Sequence, residues 1–158
     1  MNLPAKAKAG LVIAKAAGTG NFVIEALNAK NKETGLLVNV IGAYRGTTAF
    51  GLQDEDVTRL KITATARWTV QVAPISTARQ LRAGVTSRTD AVYLWLGGAS
   101  DWAMTHKGDS NFVVTEYGDE GPNLLVNEIG KYNGTVPAGE GPAVVTVEAS
   151  SLWTLRIS

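Results

Sequence analysis

The chain has 158 residues, a formal net charge of +1 from 15 Lys and Arg against 14 Asp and Glu, and 45% hydrophobic residues. That balance excludes a disordered charged tail and lacks the cationic excess of a dedicated nucleic-acid binder. With no cysteine and one histidine, disulfides, thiolate chemistry and a two-histidine zinc site are excluded too, and neither a cofactor nor a metal is expected.

At the N-terminus, lysines precede a short apolar run, Leu11-Val12-Ile13-Ala14, which Lys15 ends. The run is too short for the core of a signal peptide and far below the roughly 18 apolar residues of a membrane span. The expectation is a cytoplasmically made chain or a mature fragment, with no membrane insertion. From there the apolar period is two, which predicts strands over residues 21–28, 36–40, 44–50 and 57–64, followed by one in which Trp68, Val70 and Val72 alternate with Thr69 and Gln71. Pro74 ends that strand, Ser76 or Thr77 suits a helix cap and Gly84 a stop, so 75–88 is expected to be a short helical or irregular linker. Its arginines, Arg79 and Arg82, fit a solvated face. Further strands are expected over 91–96, 102–106, 111–117, 123–128, 132–136 and 143–149, and through Trp153, Leu155 and Ile157.

The two halves are copies of each other. Asn21-Phe22-Val23 matches Asn111-Phe112-Val113 at an offset of 90. Leu36-Leu37-Val38-Asn39 with Ile41-Gly42, Tyr44, Gly46 and Thr47 matches Leu124-Leu125-Val126-Asn127 with Ile129-Gly130, Tyr132, Gly134 and Thr135 at 88, and Trp68-Thr69 matches Trp153-Thr154 at 85. The offset shrinks between blocks, where loops belong. Short regular strands without long helical periods predict an all-β chain of two tandem antiparallel β-sandwich or jelly-roll-like modules, 1–74 and 89–158.

Residues kept in both copies of a repeat are those that define its fold. Gly42, Gly46, Gly130 and Gly134 are expected to supply positive φ at turns or bulges. Asn39 and Asn127 are expected to bond their own backbone in turns, and Tyr44 and Tyr132 to cover a core edge. Trp68 and Trp153 are expected in equivalent buried positions, with Phe22 and Phe112 on matching strands. His106 lies near Asp101, Asp109 and Ser110 in sequence but has no counterpart in the first copy, so a triad is not expected. The acidic runs Asp54-Glu55-Asp56 and Asp119-Glu120 read as solvated turns rather than calcium loops. Gly18-Thr19-Gly20 opens no helix and is no phosphate loop. Tyr93, Trp95, Trp102 and Tyr117 would form an aromatic platform for a sugar or a protein if exposed; burial is the stronger expectation.

Asn-Phe-Val-Val, then Leu-Leu-Val-Asn-Glu-Ile-Gly with Tyr132, Gly134 and Thr135, then Trp-Thr-Leu resembles a small all-β module of actinobacterial surface and secreted proteins, and the resemblance extends the expectation to structural proteins of phages infecting those hosts. The resemblance covers most of 90–158 and, more weakly, 9–73. It implies no catalytic residue.

The expected function is a non-enzymatic structural or interaction protein. A virion component, such as a capsid decoration, minor capsid or tail accessory protein of a bacteriophage, comes first. The alternative is an extracellular binding module of a bacterial envelope protein, for carbohydrate or protein. The first copy holds only Asn2-Leu3-Pro4-Ala5 where the second has the leading strand 90–96, so an unpaired sheet edge is expected there. Protein partners, a capsid or a second copy of the chain, are therefore expected at the first module near residues 1–15, including Leu3, Leu11 and Ile13, or at Tyr93, Trp95 and Trp102 of the second.

Overall fold

A computed structural model describes residues 1–4 and 7–158. The chain is all-β and divides into two compact units, Met1–Thr77 and Ala78–Ser158. In the first unit the strands are β1 (Gly10–Ala16), β2 (Asn21–Leu27), β3 (Glu33–Ile41), β4 (Tyr44–Phe50), β5 (Arg59–Ala64) and β6 (Trp68–Ala73). They form two antiparallel sheets, ordered β4-β1-β6 and β3-β2-β5. Alternate residues of each strand point inward, so Val12 and Ala14 of one sheet meet Phe22, Ile24 and Leu60 of the other in a single core.

The second unit holds β7 (Arg79–Leu81), β8 (Gly84–Ser87), β9 (Ala91–Trp95), β10 (Ser100–His106), β11 (Asn111–Gly118), β12 (Gly121–Ile129), β13 (Tyr132–Ala138), β14 (Ala143–Ala149) and β15 (Trp153–Ile157). Its sheets are ordered β13-β10-β15-β8 and β12-β11-β14-β9-β7. Trp102, Met104, Phe112, Val114, Val145, Trp153 and Leu155 fill the core between them.

Strand for strand, β13-β10-β15 repeats β4-β1-β6 and β12-β11-β14 repeats β3-β2-β5. The details repeat as well. Both β2–β3 and β11–β12 shift register by one residue at the same step, between Ile24 and Glu25 and between Val114 and Thr115, leaving Leu37 and Leu125 as the extra residues of two bulges; β2–β3 alone shifts once more, between Ala26 and Leu27. Tyr44 lies against Phe22 and Tyr132 against Phe112, each with ring centroids 5.7 Å apart. Gly42 and Gly130 turn the chain at φ +106° and +99°, as the repeat predicts. Gly46 and Gly134 do not take the expected positive φ but stand within strands β4 and β13; at Gly134 a Cβ would come 2.5 Å from the Tyr132 hydroxyl.

Several expectations are corrected. The segment 75–88 is no loose linker, because only a 3₁₀ turn, Ile75–Thr77, precedes β7 and β8, which are paired strands of the second unit. The β7–β9 pair is parallel, within otherwise antiparallel sheets. The run 10–16, read as a mere apolar stretch, is the central strand β1 of its sheet. Asn39 and Asn127 are not turn residues; they stand exposed in β3 and β12 opposite Val23 and Val113.

Candidate functional site

The two units differ in how their sheets end. In the second, the outer side of β15 is paired by β8, with Leu155 opposite Val85 and Trp153 opposite Ser87, and Ile157 N–H donates to Ala83 O. The outer side of β14 is paired by β9, and the Asp90 carboxylate accepts the next free N–H, that of Ala149, at 2.8 Å. The segment 84–95 thus closes both sheets along one flank. It also roofs Trp153, whose Nε1–H donates to Thr89 O at 3.1 Å and whose ring meets Tyr93 edge-on at 6.4 Å.

Among the described residues only the end of that segment has a counterpart in the first unit. Residues 1–3 supply it: Asn2 bridges Arg59, Met1 exchanges hydrogen bonds with Leu60, and Leu3 N–H donates to Thr58 O. By register these residues take the places of Leu94, Tyr93 and Trp95 on β14. Ala5 and Lys6, part of the expected edge, lie outside the described residues. Beyond Met1, no described strand pairs the outer side of β5, and none pairs that of β6.

The alternation of an antiparallel ladder then fixes which groups are left open. Leu60 bonds outward to Met1, so Ile62 and Ala64 also aim N–H and C=O away from β2. Arg67 bonds inward to Ala17, so Trp68, Val70 and Val72 aim theirs away from β1.

Trp68 shows the consequence in its side chain. It faces Ala16 across the ladder as Trp153 faces His106, yet it is 44% exposed while Trp153 is fully buried. The expectation of two equivalent buried tryptophans is therefore overturned, because the cover on Trp153 comes from Thr89, which has no counterpart among the first unit's described residues, and from the Tyr93 ring, whose register place Met1 takes. A groove beside Trp68 is lined by Tyr44 and by Lys15, Arg45 and Arg67, with no acidic residue among its lining. Across the sheet Lys15 stands directly opposite Arg45, so the groove carries a positive field.

The other candidates sit elsewhere. Leu11 is buried in β1, a strand paired on both sides, and Ile13 and Leu3 are half-buried. The principal edge is therefore β6 rather than the run 1–15. Tyr93, Trp95 and Trp102 lie in the second core, where Trp95 and Trp102 meet edge-on at 5.3 Å. Trp95 donates to Gly139 O and Trp102 to Ser100 Oγ, so these three side chains form an interior cluster and no surface platform. Burial pushes the Tyr93 phenol above its ordinary range, against the opposing charge of Arg79.

His106 is buried, stacked on Phe112 at 5.0 Å, and its Nδ1 stands 2.7 Å from Gly130 O. A carbonyl only accepts, so Nδ1 carries the proton and ties β10 to the turn after β12. Ser110, its sequence neighbour, bonds Ser150 instead. Sequence reasoning missed Glu116, a buried carboxylate that accepts Gly139 N–H at 2.9 Å and Asn123 Nδ2–H at 3.3 Å. Its place at an inward position of the alternating strand 111–117 was the available signal. On β5 the Lys61 ammonium meets the Glu25 carboxylate at 2.7 Å, and that hydrogen bond, then the charge behind it, raises the lysine pKa.

Among the described residues no helix is long and apolar enough to cross a membrane, and no three His, Asp or Glu side chains gather as a metal cluster. The chain matches no model of a known protein family, and no curated protein matches it.

Proposed function

We propose that the chain is a non-enzymatic structural protein that attaches to a larger protein assembly, as a capsid decoration, minor capsid or tail accessory protein of a virion. One observation carries this reading: the same sandwich is closed along its flank in the second unit and left open in the first, beside an exposed tryptophan. Open ladder groups and exposed aromatic surface gain free energy when another polypeptide covers them. The second reading, an extracellular carbohydrate-binding module, is favoured by Trp68 itself, a flat aromatic face among cations.

Density-gradient sedimentation of particles from cells that make the tagged chain tests the proposal. The chain is expected in the particle fractions. Confinement to the top of the gradient, with retention on immobilised glycans, overturns the attachment reading in favour of the second.

A further inference from the structure

The open flank of the first unit has a template within the same molecule. Along β15 and β14, the segment 84–95 shows what such a flank accepts: a four-residue strand, a three-residue crossing that carries a carboxylate, then a second strand on the opposite sheet. We infer that the first unit is completed in trans by one extended segment of a different protein. That segment runs antiparallel along β6 as β8 runs along β15, passes over Trp68 and presents a carboxylate at the crossing. This rests on the attachment reading above and names its surface and the chemistry of its partner.

Three features select that occupant. The ladder groups of Trp68, Val70 and Val72 require an extended backbone with alternate N–H groups free, which excludes proline at those positions. The crossing must supply an acceptor for Ala64 N–H, the counterpart of the Ala149 N–H that Asp90 holds. The groove beside Trp68 offers Lys15, Arg45 and Arg67 without a lining carboxylate, so a crossing of net negative charge is favoured over the neutral Arg88-Thr89-Asp90 of the second unit, and a basic one is repelled.

A second copy of this chain fits poorly. Donating its own 84–95 would uncover Trp153 and gain nothing, and pairing β6 with β6 would bring two sets of the same cations together.

The test uses the full-length chain and a synthetic peptide copying residues 84–92, which stops short of the places that Met1 to Leu3 already hold and carries no tryptophan, followed by amide hydrogen exchange and Trp68 emission. Binding is expected to protect the Val70 and Val72 amides and to shift Trp68 emission to the blue. Trp68→Ala is expected to weaken binding at least tenfold. Reversing the peptide carboxylate (Asp90→Lys) is expected to weaken it by a similar factor, less so at high salt. A peptide N-methylated at Val85, whose N–H faces the ladder, is expected not to bind; this control leaves the protein unaltered and its fold in no question. Absence of binding, protection confined to β15 of the second unit, or undiminished binding of the N-methylated peptide overturns the inference. Trp68-dependent binding of glycans without peptide binding overturns it in favour of a sugar site. If the chain sediments with particles and Trp68→Ala leaves that unchanged, the edge is refuted while attachment stands; loss of sedimentation by the unaltered chain refutes attachment itself.

Discussion

Replacing each repeated tryptophan by alanine should split the two units apart energetically. Trp153 is fully buried, donates to Thr89 O and meets Tyr93 edge-on, so Trp153→Ala removes a complete core side chain and orphans a carbonyl. Core truncations of this kind cost about 3–5 kcal/mol, with about 1 kcal/mol more for the lost hydrogen bond. Trp68 keeps 44% of its surface in water, and its removal leaves an open notch that solvent fills rather than a sealed cavity. Scaling the same cost to a little over half a burial, without the cavity contribution, gives about 1–2 kcal/mol. A unit of this size has a total stability of about 4–10 kcal/mol and a urea dependence of about 1 kcal/mol per molar. Trp153→Ala should therefore leave the second unit at the margin of folding. Trp68→Ala should lower the first unit's urea midpoint by about 1–2 M. Amide cross-peaks of the full chain followed through a urea titration report the two units separately. Equal losses at the two positions, or a larger one from Trp68→Ala, would refute the reasoning from missing cover.

Three further outcomes are expected. Partial desolvation against the sheet, then the charge of Asp90, raises the Glu148 pKa although much of the side chain stays in water, so the folded unit holds that proton more tightly than the unfolded chain does and the stability that protonation contributes is lost as pH rises through the folded value. Glu148→Gln should thus raise the melting temperature at pH 7 by about 1–2 °C, since the side chain is exposed, and change nothing at about pH 3, below the unfolded carboxylate range; an equal gain at both pH values contradicts this. Gly42→Ala and Gly130→Ala meet no atom within 4 Å but force alanine to positive φ, so each should cost its own unit about 1 kcal/mol in urea titrations. A several-fold difference between the two would show that the turns are not equivalent. His106→Ala removes the Gly130 bond and the Phe112 stack, so the second unit should lose about 2–4 kcal/mol while the first is unaffected; an unchanged urea midpoint overturns the structural role.

Where a property is set by neighbours along the chain, it was legible in the sequence. The period-two runs and the duplicated blocks located β2 to β6 and β9 to β15 to within a few residues, and the positive φ at Gly42 and Gly130 follows from Ile-Gly before a strand. β1 was missed although its equivalent, β10, was read, because Leu11, Val12 and Ile13 form a continuous run that masks the alternation. β7 and β8 are only three and four residues long, follow closely on Pro74, and include Gly84 as the first residue of β8, so they resemble a linker locally. The candidate site was least legible. Trp-Thr-Val-Gln-Val and Trp-Thr-Leu-Arg-Ile have the same pattern, and whether the tryptophan is covered depends on Thr89, which lies 64 residues from Trp153 in sequence. No window on β6 or β15 contains that information.

The matched bulges at Leu37 and Leu125 also bear on how the chain avoids misfolding. A strand that pairs with β2 must skip one residue at the step where a partner of β11 also skips, so through Ala26 β12 matches β2 in register, and β3 matches β11; only past that point does β2–β3 shift again, between Ala26 and Leu27. Up to that second shift the ladders do not tell the copies apart. Connectivity does: β2 meets β3 across residues 28–32 and β11 meets β12 across 119–120, whereas the cross-copy alternatives must close the far longer loops 28–120 and 42–110. For flexible loops that difference is worth about 2.5 kcal/mol of closure entropy, in addition to the much slower encounter of distant segments. The two short hairpins are therefore the main elements that keep tandem copies from exchanging strands as they fold, and lengthening either connection would admit mixed, aggregation-prone pairings that the shared bulge does not reject.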